Sequence, residues 1–550
     1  MKANNRLVKI GVAAKKWLLL LATIILVLGI FFRVVNLDRK PIWGDESHTF
    51  SVISGYSSFS VISGYSESEV FDKLSTGRIV TVGDFLKYQY PNSEKNLGDT
   101  LRKLYTDVHP PLYFLMARYW VELFGHSVAA LRSISAVLSV SAVLCIYWLC
   151  LELFGSPLVG WMASALLFVS PIQVIYAQEA RPYSLLSLGV LLSGASLLWA
   201  MRTQKKTAWF TYTASLVLGL YSQYFFIFVT LGYSAYVLSI ESFRFTQRVR
   251  CFLLATFAGF LAFLPWVTVV LFHLSDFKGA SAWMSQHKLT LAGAVRRWSE
   301  NVSLSFVDPR ASEYLGLGEF GFYFLIPLIL ILIGYSIYFL RVETSKQVYL
   351  FVFILIGSTA LPLIAIDLIL GGNRQIWPRY LIPCFLGIQI CVAYLLSIKA
   401  PFSEVSEESW QWRFWSVITA VLITAGVIFC SIILQANTWW NKYGGEATIR
   451  VTQIIHQAKN PLIVVDRERP GTIFFYNLKP EVKLLFIRDE KLKASSFEGS
   501  GDVFLLNPNE DMQGELKQQN YELEMLIQSP DPGPVPAEPT QLWKLKRVSN

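Results

Sequence analysis

Charged residues are scarce in this chain. Asp, Glu, Lys and Arg make up 16% of its 550 residues, where a soluble domain carries about 25%. Hydrophobic residues reach 53%, and the mean hydropathy is +0.43. That balance excludes an ordinary soluble enzyme and suits a chain whose solvent is mostly lipid. Cysteine is sparse too: Cys145, Cys150, Cys251, Cys384, Cys391 and Cys430 all fall in or at the ends of apolar runs. Their spacing is not that of a zinc motif, so they read as small buried apolar residues. The large polar regions hold no cysteine, which leaves the redox compartment open. There is no P-loop, no Gly-rich dinucleotide turn and no HExxH, so a nucleotide-sugar enzyme of the soluble Rossmann kind is not indicated. The net charge of +9 lies largely beside apolar runs, where Lys and Arg fix membrane orientation. No basic face or nucleic-acid motif accompanies it, which excludes nucleic acid as a partner.

Long apolar runs are what the chain has in abundance. A spanning helix needs about 20 such residues. Candidates fall at 17–36, 128–150, 157–176, 183–201, 207–223, 225–241, 251–273, 320–340, 347–369, 380–398 and 414–436, eleven in all. The first follows Lys15-Lys16, is too long for the core of a cleaved signal and lacks a small-residue cleavage site. It reads as an uncleaved helix with a cytoplasmic N-terminus. Basic groups at Arg202/Lys205/Lys206, Arg244/Arg248/Arg250, Arg341/Lys346 and Lys399/Arg413 then fall in cytoplasmic connections. Three polar regions share the outer face: the loop 37–127, the loop 274–319 and the tail 437–550. Within the first loop, residues 111–124 are apolar but short, with Arg118 and Glu122 at i,i+4. They read as an interfacial helix in the headgroup plane, because a further crossing here would put every later basic cluster outside. The same loop repeats Phe50–Ser57 as Phe59–Ser66. A nine-residue period reverses the face of a helix or a strand, so a local duplication is expected rather than a repeat fold.

The tail reads as a small α/β domain. A helix is expected over 446–459 and strands at 462–466, 482–487, 502–506 and 541–547. A second helix is expected over 510–524 and a Pro-rich loop over 529–539. No complete catalytic set stands out in it. The expected architecture is therefore an α-helical polytopic membrane domain, residues 1–436, followed by a soluble α/β domain, residues 437–550.

Four polar segments carry the chemistry. Trp43-Gly44-Asp45-Glu46-Ser47-His48 sets two adjacent carboxylates just beyond the first span, although Gly-Asp is also ordinary turn chemistry. His109-Pro110-Pro111-Leu112-Tyr113 fixes a His where prolines can start the interfacial helix; a helix-start turn with an incidental His explains it equally well. Tyr176-Ala177-Gln178-Glu179-Ala180-Arg181-Pro182-Tyr183 sets charges at the membrane rim, where they are costly and often functional, against the alternative of a simple Glu–Arg turn. Asn373-Arg374-Gln375-Ile376-Trp377-Pro378-Arg379-Tyr380 opens a late span and could equally belong to an interfacial aromatic belt. Asp276, Lys278, His287, Lys288 and the sequon Asn301-Val302-Ser303 are weaker features. Helix parity puts all four segments on one face. Asp/Glu, His, Arg and Tyr gathered there suit a phosphate-bearing lipid donor and a hydroxyl or amine acceptor.

Asp45-Glu46, His109-Pro110-Pro111-Leu112-Tyr113, Gln178-Glu179-Ala180-Arg181-Pro182-Tyr183 and Pro378-Arg379-Tyr380 together resemble the protein O-mannosyltransferase and aminoarabinose-transferase group of GT-C fold enzymes. The resemblance runs in order and spacing over roughly residues 15–400 and is looser in the tail. It implies a dolichyl- or undecaprenyl-phosphate sugar donor and transfer on the periplasmic or lumenal side. By resemblance the catalytic acid of the first external loop falls on Asp45, with Glu46 beside it. His109, Gln178, Glu179, Arg181, Tyr183, Arg379 and Tyr380 are the matching substrate positions, with Arg181 and Arg379 for the donor phosphate; Arg374, from the segment Asn373–Tyr380, is a further substrate candidate. Many relatives carry a His in the segment that here reads Tyr221-Ser222-Gln223-Tyr224. Gln223 cannot titrate, so the cofactor stays unknown: a divalent metal is possible and is not predicted.

The reaction these residues suit is direct displacement at the anomeric carbon. A lipid phosphate leaves as an anion, so a single carboxylate, Asp45, suffices to take the acceptor's proton, with inversion at the sugar. A glycosidase would need two separated carboxylates. The acceptor is a protein, a lipid or an envelope glycan. A bacterial inner-membrane setting, with site and tail facing the periplasm, is expected because the tail is compact and ends without an ER-retention signal. Two other classes compete. A transporter or flippase would place its polar residues mid-membrane, often in repeated halves. A sensor with an external domain explains the tail but not the carboxylates and arginines together.

Overall fold

The structure, a computed structural model, describes residues 12–56, 69–105, 109–275, 278, 282–285, 290–400, 410–466, 472–487, 497, 500–529 and 540–547. The second copy of the nine-residue repeat, together with Asp276, His287 and Lys288, lies outside them. All eleven apolar segments are helical. Among the described residues seven helices are long and apolar enough to cross a membrane: Val128–Phe154, Tyr183–Thr203, Gln247–Phe272, Gly321–Glu343, Lys346–Leu370, Ile382–Lys399 and Trp410–Gln435. The first helix, Val12–Val34, contributes the shorter apolar stretch Leu20–Val34. The helices Lys206–Leu220 and Phe226–Ile240 on either side of the Tyr221–Tyr224 turn have 15 residues each. At 1.5 Å per residue that is about 22 Å, short of a full hydrocarbon core of about 30 Å.

The segment expected as one straight span at 157–176 is broken instead. Helices Pro157–Phe168 and Pro171–Ala177 are bent by 62°, because Pro171 opens the second at its first turn and cannot continue the ladder of the first. The break strands carbonyls where no water can reach them. Arg33 of the first helix answers it. Its guanidinium is fully buried and donates to the carbonyls of Leu167 (3.0 Å) and Phe168 (2.8 Å) and to Ser139 Oγ (2.9 Å). The bend turns the next segment, Gln178–Tyr183, into the protein.

Helices Val128–Phe154 and Tyr183–Thr203 run in the same direction. At one end Ser135 Oγ donates to the Arg181 carbonyl at 3.4 Å; at the other Arg202 pairs with Glu152 at 2.7 Å. The basic cluster at Arg202 and the polar segment at Arg181 therefore lie at opposite ends of one helix pair. Residues Leu112–Phe124 form the expected short helix. Arg118 pairs with Glu122 at 3.0 Å, but it is buried and also donates to the Ile53 carbonyl and Thr100 Oγ1. This helix packs its apolar face inward and leaves Tyr119, Leu123 and Phe124 exposed.

The tail folds around a six-stranded sheet, β1 (Val80–Thr81), β2 (Leu462–Asp466), β3 (Lys483–Ile487), β4 (Val503–Leu506), β5 (Tyr521–Ser529) and β6 (Thr540–Arg547), in the order β1-β3-β2-β4-β6-β5. β2 pairs parallel with β3 and β4; the other pairings are antiparallel. The helix expected over 510–524 ends at Gln518. Asn520 takes a left-handed φ of 63°, and Tyr521-Glu522-Leu523-Glu524 alternates with the two-residue period of a strand, which β6 pairs. β1 comes from the first external loop, not from the tail. One face of the sheet, with Ile463, Val465, Leu484 and Phe504, packs on Tyr56, Phe71, Val82 and Phe85 of that loop. The other face packs on Met512 and Leu516 of the helix Glu510–Gln518. Loop and tail thus share one core.

Candidate active site

The chain turns after the first helix and enters a new helix, Gly44–Ser54, from an extended Trp43. Asp45 and Glu46 sit in its first turn, where the helix dipole favours negative charge. Adjacent helical residues diverge by about 100°, and the two carboxylates separate accordingly. Asp45 Oδ2 accepts from Arg379 Nη1 at 2.6 Å and from Tyr183 Oη at 3.2 Å. Glu46 turns the other way and takes both arms of Arg132 at 2.7 Å, Lys442 Nζ at 2.7 Å and the Ala180 amide at 3.0 Å. Glu46 is fully buried, as are its cationic partners.

The turn Gln178–Pro182 supplies the neighbouring groups. Arg181 donates to the Asp45 carbonyl at 3.0 Å and lies 2.8 Å from His109 Nε2. The His109 ring stands 5.6 Å from that of His48. Glu179 is buried; it accepts from Asn441 Nδ2 and lies 3.5 Å from Lys442 Nζ. Tyr183 and Arg379, the two side-chain partners of Asp45, line a small open pocket. Rings of Trp43, Tyr176, Trp377, Trp440 and Tyr443 line it, with Glu179, Arg379 and Asn441 as polar members. Trp43 Nε1, Glu179 Oε2 and Asn441 Oδ1 are buried and have no hydrogen-bond partner among the described residues.

Charge balance sets the protonation states. Burial alone would raise the Asp45 carboxyl, but the guanidiniums of Arg379 and Arg181 outweigh it and hold it below the usual carboxylate range. Glu46 is held low in the same way: burial is overcome by Arg132 and Lys442. Glu179 goes up, because burial and the Glu46 charge prevail over Lys442. Two carboxylates of the site are thus held low, and the third is raised.

The sequence-predicted residues divide. Asp45, His109, Arg181, Tyr183 and Arg379 meet in one hydrogen-bonded cluster, and Glu46 and Glu179 flank it. Gln178 turns back to the first helix, donating to the carbonyls of Phe32 and Val35 and accepting from Lys40. Arg374 is held by Asp367, the Gly371 carbonyl and Ser285. Tyr380 packs on Phe225 at 4.6 Å and reaches Met284 Sδ. The sequon residue Asn301 is buried and donates its amide to the Ile376 carbonyl. Arg132, Asn441 and Lys442 were not among the expected residues. A signal existed for Arg132, a guanidinium four residues into an apolar helix, where charge is costly. Another lay in Trp439-Trp440-Asn441-Lys442-Tyr443, a dense aromatic and polar run directly after the last span.

Asp45 and Glu46 are each engaged by guanidinium groups. Among the described residues, no three His, Cys, Asp or Glu side chains gather to hold a metal.

Residues 108–268 match the family model of the dolichyl-phosphate-mannose-protein mannosyltransferases. None of the curated proteins matches the chain. Among solved structures, ArnT from Cupriavidus metallidurans bound to undecaprenyl phosphate is similar with a TM-score of 0.52 at 12% identity, covering 96% of this chain and 98% of that one. The apo state of the same protein gives 0.50 at 13% identity, covering 97% and 98%. At such identities the likeness is one of fold. The chain therefore has the GT-C fold, and the resemblance of its motifs to the protein O-mannosyltransferase and aminoarabinose-transferase group is borne out by family match and fold together.

Proposed function

We propose that the chain is a glycosyltransferase that moves a sugar from a polyprenyl-phosphate carrier to a hydroxyl or amine acceptor on the extracytoplasmic face of its membrane. The observation that carries this reading is the contact of Asp45 with Arg379 at 2.6 Å beside an aromatic-lined pocket. It brings a candidate base and a candidate phosphate ligand, 334 residues apart in sequence, to one point. The fold supports it, since ArnT, its structural neighbour, binds undecaprenyl phosphate. In this reading the first helix, the bent pair and the two 15-residue helices cross along with the seven long ones. Eleven crossings from a cytoplasmic N-terminus, with Leu112–Phe124 in the interface, then put the cluster and the tail outside; a bacterial inner membrane suits that arrangement.

In this reading the acceptor attacks the anomeric carbon as the bond to the lipid phosphate breaks. The phosphate leaves as an anion, stabilised by Arg379 with Arg181 behind it. Asp45 takes the acceptor's proton. With Arg379 on its carboxylate, Asp45 is a weak base. A donor phosphate competes for the same guanidinium and loosens the contact that depresses its basicity. Donor therefore binds first, and base strength appears only with the donor in place. Glu46, with four hydrogen bonds from Arg132, Lys442 and Ala180, holds the helix start rather than reacting.

Arg379→Gln tests the phosphate assignment. Loss of one charge-assisted contact is expected to raise KM for the lipid donor by about 10- to 100-fold, with little change in KM for the acceptor. Steady-state kinetics in detergent or nanodiscs, varying each substrate in turn, reads both. Equal effects on the two substrates would remove Arg379 from phosphate binding.

A further inference from the structure

The segment that leaves the last membrane helix enters the site instead of passing over it. Between helices Trp410–Gln435 and Gly445–Gln457, Trp439 and Trp440 both donate their indole N–H groups to Asp308 Oδ2, at 2.8 and 2.7 Å. The Arg310 guanidinium covers the Trp440 ring at 4.0 Å. This clamp fixes the next two residues. Asn441 donates to Glu179, and Lys442 bridges Glu46 at 2.7 Å and Glu179 at 3.5 Å. The Tyr443 ring closes the turn against Trp43 at 5.5 Å and Trp377 at 5.9 Å.

The two carboxylates depend on this segment unequally. Glu46 has the bidentate Arg132 as well as Lys442. Among the described residues the side-chain partners of Glu179 are Asn441 and Lys442. With one oxygen so held, Glu179 Oε2 remains a buried acceptor without a partner, and so does Asn441 Oδ1. Both residues line the pocket, among aromatic rings. Two buried acceptors are costly until a ligand donates to them. A ring carrying neighbouring hydroxyl groups, its C–H faces against the aromatic walls, meets that requirement.

We propose that Asn441 and Lys442 are positioning residues of the active site: they hold Glu179 as a hydrogen-bond acceptor for the sugar ring, so that sugar recognition depends on the seating of the segment that leads into the C-terminal domain. The proposal rests on the transferase reading above and deepens it. It separates recognition of the sugar, by Glu179 and the tail segment, from recognition of the phosphate, by Arg379.

The test uses the full-length protein in nanodiscs, with two probes: the sugar-loaded polyprenyl phosphate and the same lipid phosphate without sugar. Lys442→Met and Asn441→Leu are each expected to lower kcat/KM for the loaded donor by about 10- to 100-fold. Binding of the sugar-free lipid phosphate should stay within about threefold, less than one ordinary hydrogen bond. Lys442→Arg, which keeps the charge, should recover part of the loss. If Lys442→Met does not fold, Asn441→Leu carries the same test, since it removes only a neutral amide. Wild-type kcat/KM in a folded variant, or parallel loss for both lipids, overturns the proposal. Asp45→Asn in the same assay separates the two readings: if it stays active the transferase mechanism fails, whereas if it is inactive and Asn441→Leu is unaffected only this inference fails.

Discussion

Asp45→Asn is expected to lower sugar transfer about a thousandfold, while binding of polyprenyl phosphate stays at least as tight as before. The first half follows from the size of general-base catalysis, about 10²- to 10⁴-fold, with Asp45 in contact with Arg379, which lines the pocket. The second half is the sharper one. In the resting protein Arg379 is neutralised by Asp45 at 2.6 Å. Asn leaves the shape in place and removes the competing charge, so a phosphate meets a guanidinium relieved of the Asp45 carboxylate. Were Asp45 needed only to hold Arg379 in position, the same substitution would weaken the lipid phosphate. Titration of the sugar-free lipid against both proteins separates these by the sign of the change, whatever happens to activity.

Arg132→Met is expected to cost the fold itself. Arg132 is 1% exposed. It donates twice to Glu46, and also to the carbonyls of Leu37, Lys40 and Pro41. It therefore ties the exit of the first helix to the start of Gly44–Ser54 and to the helix Val128–Phe154. Breaking one side of a buried ion pair costs about 3–5 kcal/mol, because the remaining charge is left without its partner. A marked fall in thermal stability in detergent is expected, larger than for Lys442→Met, which leaves Glu46 its bidentate arginine. The double variant Arg132→Met/Glu46→Gln should recover part of the loss, since no buried carboxylate then lacks its arginine while Lys442 keeps Glu179 at 3.5 Å. No recovery would mean that the carbonyl contacts, not the charge, carry the effect.

The membrane helices were legible because lipid imposes a length and a composition on any crossing segment. That rule says nothing about a break such as Val169–Ser170, whose stability depends on Arg33, more than 130 residues away. β1 was invisible for another reason. Val80–Thr81 is two residues long and has no period to read; it is a strand because β3 offers it an edge. Helix and strand propensity competed over 510–524, and the left-handed Asn520 decided for the strand. In the site, the motif segments were legible because charges beside a membrane need an explanation. Which of their side chains face the pocket was not. Gln178 and Glu179 are neighbours in sequence, yet one is bound to the first helix and the other to Asn441. Asp45 and Glu46, read as a pair, divide between two sets of cations. Lys442 escaped attention because it lies beyond the last span, where a lysine is ordinarily a solvated charge; here it is 3% exposed.

In the transferase reading the bond between the sugar and its lipid phosphate is broken at this site. The most direct measurement is made in sealed proteoliposomes carrying a polyprenyl-phosphate sugar in the leaflet that faces the C-terminal domain. One free polyprenyl phosphate released for each sugar transferred, inversion at the anomeric carbon, and loss of both with Asp45→Asn are expected. Intact donor moved to the opposite leaflet, with no lipid phosphate released, would contradict it.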